Sequence, residues 1–300
     1  MSREPVNPTG WQAEDLSFGE SAAQDLEMSI RIGADGLSFL AVEKSDQPDP
    51  FHGEERKRST PPRIKRAYIP FPTRGTEGLK AAFFANEWLA YPFAATYIYL
   101  DDGGRYALIP DDLSEGISPE EWLSNISDPD GHTPMSLNVR DERMTLAYAP
   151  DTSTYEFCAR SFSYPRFEHR IRSFIGLTTT LSRRTSPKVL VCIPDGEMLD
   201  VLHAVSGKLL LANRYTVRTP VDSLYFITAL WRHFSLDPGV DPIYLYATRD
   251  SELRPLVSLL EGHIRNIRLN EYPGCVFSSA ELASWNTPLP PELILDRLCE

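Results

Sequence analysis

Hydrophobic and polar positions along this chain fall into short apolar runs separated by turn residues, and one arrangement of them occurs twice. Around Asp35 the chain reads Ser29-Ile30-Arg31-Ile32-Gly33-Ala34-Asp35-Gly36-Leu37-Ser38-Phe39-Leu40-Ala41-Val42. Around Asp195 it reads Val189-Leu190-Val191-Cys192-Ile193-Pro194-Asp195-Gly196-Glu197-Met198-Leu199-Asp200-Val201-Leu202. Each is an apolar run, an Asp-Gly pair and a second apolar run, which predicts a β-hairpin; the pair itself predicts a type I′ turn, whose central residues take φ > 0. A third strand, a helix and a further strand follow each hairpin. In the first half these are Ala67-Tyr68-Ile69-Pro70-Phe71, a helix opened by Thr76 and Glu77, and Thr96-Tyr97-Ile98-Tyr99-Leu100. Leu79, Phe83, Phe84 and Trp88 recur along that helix at the spacing of one buried stripe. In the second half they are 208–215, a helix from Thr219-Pro220-Val221-Asp222, and 242–246. Thr219 supplies an N-cap, Pro220 the first helical residue and Asp222 the capping acid. Two β-β-β-α-β units in one chain predict an α/β protein with a duplicated ribonuclease H-like fold of the actin-like ATPase type.

The same pattern predicts the domain plan. Residues 1–27 are polar and acidic and read as a flexible leader. The first subdomain spans 28–185, with 45–66, rich in proline and charge, as a loop insertion. The second subdomain spans 186–277, and 278–300 reads as a C-terminal tail. Further strands are expected at 134–140, 143–149 and 266–269, and helices at 152–162, 170–184 and from Ser251.

Composition narrows the function classes. No apolar run approaches the roughly 18–20 residues that span a bilayer, and the first residues lack the basic and apolar regions of a signal peptide. A cytoplasmic protein with no membrane insertion is expected. The net charge of −12 repels phosphate, so nucleic acid is disfavoured as a partner. Against that trend, 155–188 carries Arg160, Arg166, Arg170, Arg172, Arg183 and Arg184 with few acids, a candidate docking patch for an acidic partner or a phosphate backbone. Cys158, Cys192, Cys275 and Cys299 form no C-x-x-C motif, and the histidines form no H-x-x-x-H pair, so no metal site is predicted.

Gly207-Lys208-Leu209-Leu210-Leu211-Ala212-Asn213-Arg214-Tyr215, running into Thr219-Pro220-Val221-Asp222-Ser223-Leu224-Tyr225, resembles the bacterial family known as domain of unknown function 3822. That family shows a "gk-L-L-L-aN" strand before a "t-x-x-D-x-x-Y" helix. The hairpin at 29–42, Ala107-Leu108-Ile109-Pro110-Asp111-Asp112-Leu113 and Leu298-Cys299-Glu300 are similar as well. The resemblance implies an actin-like, ribonuclease H-type fold and no established activity.

Three chemistries are open to such a fold. An actin-like ATPase needs two glycine-rich hairpins whose N–H groups cradle phosphates, and carboxylates that hold Mg²⁺ through water. Asp35, Gly36 and Ser38 could serve on the first turn and Asp195 and Gly196 on the second, with Mg-ATP as cofactor; Glu197 and Met198 are poorly suited to the second turn. A ribonuclease H-like nuclease needs converging acids, for which Asp35, Glu77 and Asp101 (or Asp102) lie at the appropriate strand and helix ends. A non-catalytic scaffold with degraded phosphate loops, no cofactor and an unidentified protein partner accounts best for an intact framework that lacks most of the chemical parts.

Overall fold

A computed structural model of the chain describes residues 19–43, 64–100, 106–114, 116–124, 130–139, 142–285 and 288–299. The first half opens with α1 (Glu20–Ala23), β1 (Leu26–Ile32), β2 (Gly36–Glu43), β3 (Ile64–Pro70), α2 (Thr76–Ala85), a 3-10 turn at Glu87–Ala90 and β4 (Ala95–Tyr99). An excursion follows: β5 (Tyr106–Pro110), α3 (Asp111–Ser114), α4 (Pro119–Ser124), β6 (Met135–Val139) and β7 (Met144–Tyr148). The chain then returns through α5 (Thr152–Ser161), β8 (Pro165–Glu168) and α6 (Arg170–Arg184). The second half contains β9 (Lys188–Asp195), β10 (Met198–Val205), β11 (Lys208–Thr216), α7 (Pro220–His233), β12 (Ile243–Leu245), α8 (Asp250–Leu260) and β13 (Ile267–Leu269). It closes with α9 (Ser279–Ala283) and α10 (Pro291–Leu298).

The two halves share one topology. The first sheet has the order β3-β2-β1-β4-β8 and the second β11-β10-β9-β12-β13. In each, three antiparallel strands are extended by two that run parallel to the central strand. The interior strands β2 and β9 are buried almost along their whole length, as expected of strands covered on both faces. The fifth strand of the first sheet, β8, was not expected: it is four residues long and opens on Pro165, which leaves little periodicity to detect.

Five layers result. The outer face of the first sheet packs Phe39, Leu79, Phe83 and Ile98 with Phe162. Its inner face packs Leu40, Tyr97 and Tyr99 against Leu293, Ile294 and Leu298 of α10. The inner face of the second sheet carries α6 through Phe174, Ile175 and Leu181 with Val191, Leu202 and Ala204. Its outer face packs Ile227, Trp231, Leu253 and Leu256 of α7 and α8. The small sheet β5-β7-β6 joins the α6 cluster through Val139 and Leu146. Helices α6 and α10 therefore lie between the two sheets and touch each other. The segment 278–300, expected as a tail, contributes this inter-sheet helix: its apolar residues lie at helical spacing, but Pro288, Pro290 and Pro291 mask the periodicity. Among the described residues, no helix is long and apolar enough to cross a membrane.

Candidate functional site

The two hairpin turns face the space between the halves. In the first, Ile32 pairs with Leu37, and the Gly33 N–H donates to the Gly36 carbonyl at 2.9 Å, leaving Ala34 and Asp35 at the tip. Neither tip residue has positive φ, so the expected type I′ turn does not form. Gly36 serves a close approach instead: a Cβ there would lie 2.4 Å from the Tyr68 hydroxyl oxygen. The tip carbonyls are tied inward, Asp35 O accepting from Phe71 N at 2.8 Å and Ala34 O from Gly75 N at 3.0 Å. Ser38 sits within β2, buried, opposite Arg31 and Tyr68. In the second turn Asp195 pairs with Met198 across Gly196 and Glu197. Gly196 alone of these has positive φ, +59°, which fits a type II′ rather than a type I′ turn.

Between these turns runs an ion-pair network. Helix α6 begins at Arg170, after His169, whose Nδ1 accepts from the Ile171 N–H at 3.3 Å and caps the helix. That start aims the Arg170 guanidinium at the second hairpin. It donates to Asp200 Oδ2 from Nη2 at 2.5 Å and from Nε at 3.2 Å, and it also pairs with Asp195. Asp200 is fully buried on β10 and is clasped from its other side by Arg214 of β11, at 2.5 Å and 3.0 Å. Arg31, at the end of β1, reaches Asp195 at 3.2 Å and Glu292 of α10 at 2.7 Å. Asp195 is thus held by one arginine from each of β1 and α6. Tyr106 of the small sheet adds a hydroxyl contact to Asp200 at 3.4 Å.

Electrostatics follow the geometry. Burial by itself raises a carboxyl pKa, but Arg170 and Arg214 hold Asp200 below the ordinary carboxylate value, and Arg170 and Arg31 do the same for Asp195. Arg170 is pushed further toward the charged form by Asp200, Asp195 and Glu292, against the effect of its burial. A second cluster adjoins the first. Asp296 of α10 accepts from the Tyr99 hydroxyl and from Ser173 Oγ at 2.8 Å. Arg297 lies 3.3 Å over the Tyr97 ring and donates to Ser29 Oγ at 2.9 Å. Glu168, buried and 2.7 Å from Arg172, is raised to about 7: burial outweighs the Arg172 guanidinium, and Asp296 adds to the rise.

The family described as Protein of unknown function (DUF3822) matches residues 15–267. The chain belongs to the DUF3822 family. Its backbone is similar to that of a Bacteroides thetaiotaomicron protein of actin-like ATPase fold and unknown function: the TM-score is 0.69 at 19% identity, over 84% of this chain and 93% of that one. The PilM–PilN type IV pilus biogenesis complex aligns with TM-score 0.49 at 16% identity, over 81% and 87%. The ethanolamine utilization protein EutJ of Carboxydothermus hydrogenoformans aligns with TM-score 0.41 at 6% identity, over 91% and 88%. No functionally curated protein matches the chain. The first likeness fixes the fold of this DUF3822 member: α/β, actin-like, with two mixed five-stranded sheets.

Within this DUF3822 fold, the residues singled out from sequence separate. Asp195 and Arg170 meet in the network, and Gly196 forms the turn beside them. Asp35 is exposed at the first turn, where it and Arg249 of the opposite half both act on Tyr68. Glu77 points to solvent on α2 and pairs with Lys80 at 2.7 Å. Asp101 and Asp102 lie outside the described residues. Among the described residues, no cluster of three or more His, Cys, Asp or Glu side chains is suited to a metal ion. Of the arginines read as a docking patch, Arg170 is buried and Arg172 is half-buried on Glu168, so neither stands on an open surface. Arg160, Arg166, Arg183 and Arg184 are exposed, on the end of α5, on β8 and at the far end of α6. Arg160 pairs with Glu156 at 2.9 Å. A cavity of about 230 Å³ lies beside the first turn, lined by Gly33, Ala34, Gly75, His132, Asp151 and Thr154 among others.

Arg31, Asp200, Arg214 and Glu292 were not picked out from sequence. The signal for two of them was present: Arg31 stands between Ile30 and Ile32, and Asp200 between Leu199 and Val201. A charge inside an apolar strand must find an opposite charge once buried. Which charge it finds depends on how the two halves dock.

Proposed function

We propose that this DUF3822 member is a non-catalytic actin-like scaffold that binds another protein, its two phosphate-type turns joined to each other by ion pairs instead of by a nucleotide. The observation that carries this reading is the Arg170 guanidinium, buried between Asp195 and Asp200. A Mg-nucleotide site of this fold needs carboxylates free to hold the metal's waters and N–H groups free to face phosphates. Here two of the second hairpin's three carboxylates, Asp195 and Asp200, are paired with arginines, and a metal at Asp195 would meet the positive charge of Arg31 and Arg170. In the first turn the Gly33 N–H is already used, donating to the Gly36 carbonyl. The cavity beside it, about 230 Å³, is below the roughly 300–1,000 Å³ of ordinary small-molecule pockets. The exposed arginines Arg160, Arg166, Arg183 and Arg184 are the proposed contact surface for an acidic partner.

Thermal unfolding of the full chain with and without Mg-ATP tests the reading. A ligand at about 100 times its Kd would add about 2.7 kcal/mol, a rise of several degrees. No rise is expected. A rise that disappears in Asp35→Ala would replace the scaffold reading with nucleotide binding. The partner is sought by isolating the tagged chain from its native cells. One stoichiometric protein is expected, with affinity reduced by Arg166→Glu and Arg184→Glu; unchanged affinity in both variants would remove the arginine surface from the proposal.

A further inference from the structure

A turn and a helix end bring together two cysteines that are distant in the chain. Tyr272-Pro273-Gly274-Cys275 forms a β-turn: the Cys275 N–H donates to the Tyr272 carbonyl at 3.2 Å, and Gly274 has φ +76°. Proline second and glycine third is the pattern of a type II turn. The next residue, Val276, donates its N–H to the Leu298 carbonyl at 3.0 Å, where α10 ends. A bond from the residue after Cys275 to the residue before Cys299 brings the two cysteines together at the end of α10. A disulfide closes over Cα separations of roughly 4.4–6.8 Å. The thiols meet: Cys299 hydrogen-bonds to the Cys275 sulfur. Both are unbridged and half-buried, against the same apolar cluster as Leu293 and Leu298.

We propose that Cys275 and Cys299 form a reversible disulfide that fastens the C-terminal helix to the 272–275 turn, with a small-molecule disulfide such as glutathione disulfide as oxidant. The Cys275 thiolate attacks one sulfur of the oxidant, the oxidant's S–S bond breaks, and one glutathione thiolate leaves and takes up the proton that Cys275 lost. The Cys299 thiolate then attacks the Cys275 sulfur and expels the second glutathione, which takes up the Cys299 proton. Two protein thiols are oxidised by two electrons, and one disulfide is reduced to two thiols. Cys275 goes first because the hydrogen bond from Cys299 lowers its thiol pKa against the effect of burial, whereas burial raises that of Cys299. Cys158 and Cys192 are shielded by contrast: both are fully buried, and burial alone pushes the Cys158 thiol up to about 12. The bond would close the loop that carries Glu292, Asp296 and Arg297, the C-terminal members of the inter-half network.

The full chain is equilibrated with glutathione disulfide, then with reduced glutathione, and its thiols are mapped by alkylation and mass spectrometry. The expected result is loss of two hydrogens, a Cys275–Cys299 cross-linked peptide and a thermal midpoint raised by several degrees, all reversed by reduced glutathione. Cys299→Ser should retain one glutathione on Cys275, and Cys275→Ser should form no cross-link. Glutathione retained on the wild-type chain without a cross-link, a cross-link through Cys158 or Cys192, or no thiol loss would each overturn the proposal.

Discussion

Asp200 contributes no exposed surface, and its charge is stable there because two guanidinium groups face it. Removing one leaves a buried carboxylate partly uncompensated, which costs far more than the pair itself contributes. Arg170→Met is therefore expected to destabilise by about 3–5 kcal/mol and lower the thermal midpoint by roughly 10 °C. Arg170→Met combined with Asp200→Asn should cost less than the sum of the two changes, because the second removes the charge that the first orphans. Equilibrium unfolding of the three variants measures this, and additive losses would mean that the two residues do not share their energy. Glu168 works in the opposite sense. Its carboxyl is raised from 4.5 to about 7 by burial, so the folded state prefers the protonated form. Its contribution is complete below the unfolded pKa and is lost as pH rises toward 7, by up to about 1.4 kcal/mol per pH unit. Asp200, depressed instead, contributes above its unfolded pKa and loses that contribution in acid. Glu168→Gln mimics the protonated acid, so it should match the wild type in stability near pH 4.5 and exceed it at neutral pH. Denaturant midpoints across that range decide the matter, and parallel pH profiles for the two proteins would refute it.

Elements with an internal period were legible, and elements that depend on a distant surface were not. Helix α6 spans the same residues, 170–184, that its pattern predicts, and α7 carries the predicted capping box, with Thr219 Oγ1 accepting from Asp222 N at 3.3 Å. Both hairpins form where the Asp-Gly pairs stand, because apolar runs flank each of them. Their turn types differ from expectation for a reason outside the pair. In the first, Tyr68 crowds Gly36 into the strand; in the second, pairing of Asp195 with Met198 moves the turn one residue on, so glycine comes first. Strand β8 takes its stability from β4, to which Tyr97 and Ile98 pair with Arg166 and Phe167. Its own four residues carry no period. Helix α10 is the same case at larger scale, since its apolar stripe has meaning only against Leu40, Tyr97 and Tyr99. The basic run at 155–188 does not fall on one face, because net charge in sequence says nothing of direction. Fifteen residues of α6 cover about 20 Å, enough to bury Arg170 at one end and expose Arg184 at the other.

At the scale of the molecule, α6 and α10 lie between the two sheets, and α10 ties the end of the chain to the first half. It supplies Glu292 to Arg31, Asp296 to Tyr99 and Ser173, and Arg297 to Ser29 and the Tyr97 ring. Its Leu293, Ile294 and Leu298 cover the inner face of the first sheet. Removing it would uncover that face to water, at about 1.5–3 kcal/mol for each large apolar side chain involved. It would also take Glu292 from Arg31 and strip Tyr99, fully buried, of its carboxylate. These losses together are of the order of a whole domain's stability, about 5–15 kcal/mol. A chain ending before residue 288 is therefore expected to lose cooperative thermal unfolding and to bind a hydrophobic dye while it keeps much of its helical circular dichroism. Point changes separate the two causes: Leu293→Ala should lower the midpoint with no dependence on salt, whereas Glu292→Gln acts through Arg31. A sharp transition in the truncated chain, at the midpoint of the intact one, would show that the sheets hold each other through α6 alone.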